Sequence, residues 1–141
     1  MAAEEIKFLN IVKEVLIAAP ADAVFQTVLE PHGPLKDMSM KLEPWPGGRW
    51  FRDLGNNTGH LWGHVQVIKP PKLLELVGPT MMSYPAISHI QYRLTEQPGG
   101  TLLKFTHQAI GLIEPELEQG VNKGWGEMLD HIRAAAEKKR G

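Results

Sequence analysis

Apolar and polar residues alternate in short blocks along most of the chain, and the period changes only near the end. Residues 7–17, KFLNIVKEVLI, are rich in β-branched and apolar side chains with polar ones between them, which predicts a strand. Pro20 suits the first position of a helix, and Asp22 puts negative charge in its first turn. Val24, Phe25 and Val28 then share one face, so residues 21–29 read as a short amphipathic helix, with a second brief helical turn near 32–37. From Met38 to Glu96 the pattern is strand and turn. Strands are predicted over 38–43, 49–54, 60–68, 73–77, 87–95 and 102–109. Pro46-Gly47-Gly48, Gly55-Asn56-Asn57-Thr58-Gly59, Pro70-Pro71, the 78–85 loop and Gln97-Pro98-Gly99-Gly100 separate them.

After Pro115 the period becomes helical. Leu117, Val121, Trp125, Met128, Ile132 and Ala135 fall three and four apart, and Lys138, Lys139 and Arg140 supply positive charge at the helix end. A helix of about 22 residues is roughly 33 Å long and must lay its apolar stripe on the sheet. The order is strand, short helix or two, six strands, long helix. That segregation predicts an α+β fold in which a curved seven-stranded antiparallel sheet wraps around the C-terminal helix.

Alternation also assigns faces. Ile90, Tyr92 and Leu94 point inward, as do Leu103, Phe105 and His107 on the next strand, and Leu74 and Leu76. In 60–68 the set Leu61, Gly63, Val65 and Val67 reads as internal, leaving His60, Trp62, His64 and Gln66 outside. Trp62 is then a sheet-edge contact or part of a dimer surface. Trp50 is placed inside, with Arg52 as a buried polar group. An inward Gly63 makes room for a bulge, a bulky neighbour or a ligand. Gly120, Gly124 and Gly126 sit inside the long helix at a cost of about 0.5–1 kcal/mol each relative to Ala. They indicate close helix–sheet packing, a bend, or space beside Trp125.

Composition narrows the function classes. Over 141 residues, 15 Lys+Arg against 16 Asp+Glu give a net charge of −1, which is not the strongly basic balance of most nucleic-acid binders. With no cysteine there is no disulfide, thiolate metal site or thiol nucleophile. The acidic start has no apolar run, and no stretch is long enough to span a bilayer, so a cytoplasmic setting without membrane contact is expected. No metal site is expected: His60 and His64, four apart on a strand, lie roughly 13 Å from each other. Glu127 and His131 read as a solvated pair. No nucleophile elbow or phosphate-cradling loop is present, so neither a catalytic residue nor a cofactor is assigned.

The motifs, taken in order, resemble a known family. They are Ala19-Pro20 with Val24-Phe25, Pro46-Gly47-Gly48-Arg49-Trp50, Gly63-His64-Val65, Pro70-Pro71-Lys72-Leu73-Leu74, Thr101-Leu102-Leu103 with His107, and Gly124-Trp125 with Met128-Leu129. Together they resemble the START-like, or SRPBCC, superfamily with its helix-grip fold, in the branch of the activator of heat-shock-protein-90 ATPase. The resemblance implies one such domain over 1–141, and no universal catalytic residue comes with it. It implies three functions. The first is non-catalytic binding of a small hydrophobic molecule between the sheet and the C-terminal helix. The second is an interaction module with a chaperone or homodimer partner, tied to stress response. The third is a cyclase-like enzyme on a polyketide or aromatic substrate, with His107 as acid/base. The expected cavity lining is Trp50, Arg52, Gly63, Tyr92, Phe105, His107, Trp125 and Met128, with Met81, Met82 and Tyr84 as an entrance loop. The same residues can equally fill the core.

Overall fold

A computed structural model describes residues 5–139. β1 (Lys7–Ile17) leads to α1 (Ala21–Val28) and a 3-10 turn (Gly33–Leu35). Then follow β2 (Met40–Leu42), β3 (Arg49–Gly55), β4 (Thr58–Lys69), β5 (Leu73–Gly78), β6 (Ala86–Gln97), β7 (Gly100–Gly111) and α2 (Leu117–Lys139). The seven strands form one antiparallel sheet in the order β1-β7-β6-β5-β4-β3-β2. This is the α+β helix-grip architecture: the sheet's inner face and α1 enclose the apolar stripe of α2.

Local chemistry explains the elements. Asn56 and Asn57 both adopt left-handed backbone, which closes the tight β3–β4 hairpin. α2 starts two residues after Pro115, because Glu114 to Leu117 first form a turn closed by the Leu117 N–H on the Glu114 carbonyl. Its buried stripe is Val121, Trp125, Met128, Leu129, Ile132 and Ala136, so Ala136 takes the place expected for Ala135. Lys138 and Lys139 lie in its last turn, and Arg140 lies outside the described residues.

β4 departs from simple alternation, and this matters for the site. A bulge interrupts the register between Trp50/Phe51 of β3 and Gly63/Leu61 of β4. Trp62 is the extra residue. It turns inward to 2% exposure, while Leu61 turns out. Trp62 is therefore core and not an outward contact. A second register shift, between Val65 and Val67, sets Val67 opposite Glu75 and brings Ile68 opposite Leu74, where it packs on the core.

Candidate functional site

The space between sheet and helix is nearly full. Trp50, Leu74, Leu76, Tyr92, Met128 and Ile132 surround a residual recess of about 30 Å³, enough for water and too small for an organic molecule. Tyr92 donates its hydroxyl to Met128 Sδ, and burial pushes its pKa upward. Phe105 is fully buried and packs edge-to-face on Tyr92 and tilted on Trp125, with ring centroids 5.1 Å apart in both pairs. Gly63 opens no space toward a ligand. A Cβ there would sit 2.6 Å from the Val77 carbonyl oxygen, and one at Gly78 would sit 2.4 Å from Gly63 Cα. The two glycines let β4 and β5 approach beside the bulge.

His107 is fully buried, and the protein takes up both of its ring nitrogens. Trp125 Nε1–H donates to Nδ1 at 2.9 Å, so Nδ1 must be the bare nitrogen and Nε2 must carry the proton. Nε2 lies 2.8 Å from Ser88 Oγ, and Ser88 Oγ lies 3.4 Å from Thr80 Oγ1. Thr80 in turn donates to the Pro79 carbonyl at 2.6 Å. This chain ties α2, β7, β6 and the β5–β6 loop together and leaves no nitrogen for a ligand. Burial pushes the His107 pKa down to about 4. Protonation would also set an Nδ1–H against the Trp125 N–H.

The open space lies one helical turn away from the filled core. Pro34, Leu35, Met38, Trp62, Met81, Gly120, Val121, Gly124 and Trp125 line a groove of about 190 Å³. Its geometry follows from the spacing of Gly120, Gly124 and Met128, which lie four apart on one face of α2. At Met128 the contact is tight: a Cβ on Gly33, whose φ is +58, would meet Met128 Cα at 2.8 Å. At Gly120 and Gly124 a Cβ would meet nothing within 4 Å. The 33–38 segment is thus clamped to the helix at one end and stands away from it at the other. The glycines do not serve close helix–sheet packing; they leave the groove open.

Of the expected lining, Trp125 and Met81 face this groove, whereas Trp50, Tyr92 and Met128 bound the small recess. Met82 is core, and the Tyr84 hydroxyl accepts the Glu114 N–H. Arg52 is half-buried and donates Nε–H to the Met38 carbonyl at 3.1 Å, bracing the groove wall from behind. Pro34, Leu35 and Met38 carry no distinguishing signal in the sequence, and Val121 is legible only as part of the apolar stripe of α2. Gly120 and Gly124 did, as glycines inside a helix.

On the outer face of the sheet, Phe8 is 79% exposed. It stands in register with Ile110 of β7, which pairs with Ile87 of β6. Among the described residues no three His, Asp or Glu side chains converge as metal ligands, and no helix is long and apolar enough to cross a membrane.

The fold and these features define a helix-grip protein of the START-like class. Residues 18–137 match the family model described as activator of Hsp90 ATPase homolog 1-like protein, and the chain belongs to that family. No functionally curated protein matches it. An uncharacterized protein from Rhizobium leguminosarum is 21% identical, with TM-score 0.74 over 95% of this chain and 97% of that one. CalU16 from Micromonospora echinospora is 20% identical, with TM-score 0.65 over 96% of this chain and 88% of its own. The di-domain ARO/CYC protein BexL, from the BE-7585A biosynthetic pathway, is 18% identical, with TM-score 0.60 over 94% of this chain and 50% of that one. At these identities the likeness shows the fold alone.

Proposed function

We propose that the protein binds a small apolar molecule, about one or two fused rings in size, in the groove between the 33–38 segment and the first half of α2. The observation that carries this is the open, apolar groove floored by Gly120 and Gly124. Its 190 Å³ compares with the ~150 Å³ apolar cavity that holds benzene. Affinity comes from burial of apolar surface, and Met38 and Met81 adapt their shape to the ligand. The neighbouring His107 chain serves to hold the wall, so the reading is binding without a reaction.

Calorimetric titration with indane tests it. Wild type is expected to show saturable binding with a negative heat-capacity change. Gly124→Leu, which fills the groove, is expected to bind at least about tenfold more weakly. Absence of binding to wild type, or equal binding by Gly124→Leu, overturns the reading.

A second reading concerns a second copy of the chain, and β1 favours it. β1 is an edge strand on which Phe8, Val12 and Leu16 are all exposed. Antiparallel pairing of two β1 strands about a two-fold axis at Val12 sets Phe8 opposite Leu16 of the partner subunit and Asn10 opposite Glu14 of the partner subunit. No like charges meet in that register. Sedimentation equilibrium is expected to show a dimer that Val12→Lys dissociates; a monomeric wild type overturns it.

A further inference from the structure

Met81 is the part of the groove lining that the β5–β6 loop supplies. The base of this loop is pinned to the β4 bulge. Gly78 lies so close to β4 that a Cβ there would stand 2.4 Å from the Trp62 carbonyl oxygen, and the Thr80 N–H donates to that same oxygen at 2.8 Å. Thr80 and Met82, on either side of Met81, are buried at 1% and 2% exposure. The backbone of Met81 is thereby fixed, and its side chain is what remains to move. A methionine side chain is unbranched and adapts readily, so the width of the groove on this side depends on what holds the sulfur.

Thr80 holds it. Its Oγ1 lies 3.2 Å from Met81 Sδ and 2.6 Å from the Pro79 carbonyl oxygen, and its hydroxyl proton is shared between them. The direction of the buried chain leaves that proton available. His107 Nε2–H donates to Ser88 Oγ, so Ser88 keeps its own proton to give to Thr80 Oγ1. The chain therefore starts at Trp125 and ends at Met81, and both ends line the groove. The backbone of Thr80 is a second sign. Its φ is +58, a left-handed conformation that strains a β-branched residue and that glycine adopts freely. Such strain persists where the surroundings over-determine it, and it suggests a use for the side chain.

We infer that Thr80 is a positioning residue for the groove: its hydroxyl tethers the Met81 sulfur, and the tethered Met81 sets the largest ring the groove admits. This rests on the ligand-binding reading above and adds the upper size of the ligand. With its sulfur held, Met81 adapts through its terminal methyl alone. Indane suits the tethered groove. Fluorene, the same skeleton with one more fused ring, needs Met81 to swing aside.

The test measures the affinities of indane and fluorene by equilibrium dialysis and reads their ratio. Thr80→Val keeps the β-branched shape and the strain but removes the hydroxyl. Thr80→Gly removes both, and Thr80→Ser keeps the hydroxyl. The fluorene-to-indane affinity ratio is expected to rise about fivefold over wild type in Thr80→Val and Thr80→Gly, and to stay at the wild-type value in Thr80→Ser. A merely structural role would weaken both probes alike and leave the ratio in place. Thr80→Gly suits the left-handed backbone, so it carries the test alone should Thr80→Val fail to fold. In a Met81→Ala background, Thr80→Gly is expected to change the ratio no further. The inference is overturned if Thr80→Gly leaves the ratio unchanged, if Thr80→Ser shifts it as much as Thr80→Gly does, or if Thr80→Gly shifts it equally with and without Met81. In each of these cases indane still binds wild type and the groove remains a ligand site. If indane does not bind wild type, the groove reading fails and the inference fails with it.

Discussion

Trp62 and Trp125 line one groove, the first from the sheet and the second from the helix, and their surroundings treat them oppositely. On the Trp125 side each polar atom of the His107–Ser88–Thr80 chain has a partner inside the protein. On the Trp62 side the indole N–H has none, and the adjoining helix carries glycine where a side chain would close the space. A polar network that satisfies itself rigidifies a core. His107, the residue that first attracts a catalytic reading, belongs to the closed side.

The largest effect is expected from His107→Leu, which strands the Trp125 N–H in the core, removes the ring that bonds the Ser88 hydroxyl and leaves that hydroxyl only Thr80 Oγ1 at 3.4 Å. A loss of about 4 kcal/mol is expected in denaturant unfolding, and a loss under about 1 kcal/mol would deny the closed chain its weight.

Next comes the pH dependence. The native His107 pKa of about 4 lies below the unfolded value of 6.5, because burial disfavours the charged ring. Between those values the unfolded state binds the extra proton, so stability rises with pH and is lost as pH falls from 6.5 toward 4. The loss amounts to about 3 kcal/mol, at no more than about 1.4 kcal/mol per pH unit. Unfolding curves of wild type and His107→Gln across this window should differ by that slope. Parallel curves would place the titration elsewhere.

A smaller effect, of opposite sign, belongs to the open side. Gly124→Ala should stabilise by about 0.5–1 kcal/mol, since the helix gains propensity and the new Cβ meets nothing within 4 Å. Thermal unfolding checks it, and a destabilised Gly124→Ala would mean that the groove is closed in solution.

Much of this fold is legible in the residues. Alternation in β6 and β7 and the three-four spacing of α2 give the sheet, the helix and their facing sides, because an uninterrupted period fixes which residues are buried. The site is less legible. Trp62 reads as outward because a bulge shifts the period by one residue; Gly63 admits a bulge as one of three readings, and nothing local fixes which neighbour is the extra residue. The floor was visible as Gly120 and Gly124. Whether such glycines mean close contact or open space depends on where the 33–38 segment lands, and Gly33 decides that from about ninety residues away by clamping that segment at Met128. The pairing of His107 with Trp125 is likewise a product of the helix docking on the sheet.

The most direct measurement makes one substitution twice, Trp62→Phe and Trp125→Phe, and compares unfolding free energies. Both remove similar ring volume from the same groove. Trp125→Phe also leaves His107 Nδ1 without its donor, whereas Trp62→Phe removes an N–H that has no partner. The account predicts that Trp125→Phe costs about 2 kcal/mol more than Trp62→Phe. Equal costs, or a larger cost at Trp62, would contradict it.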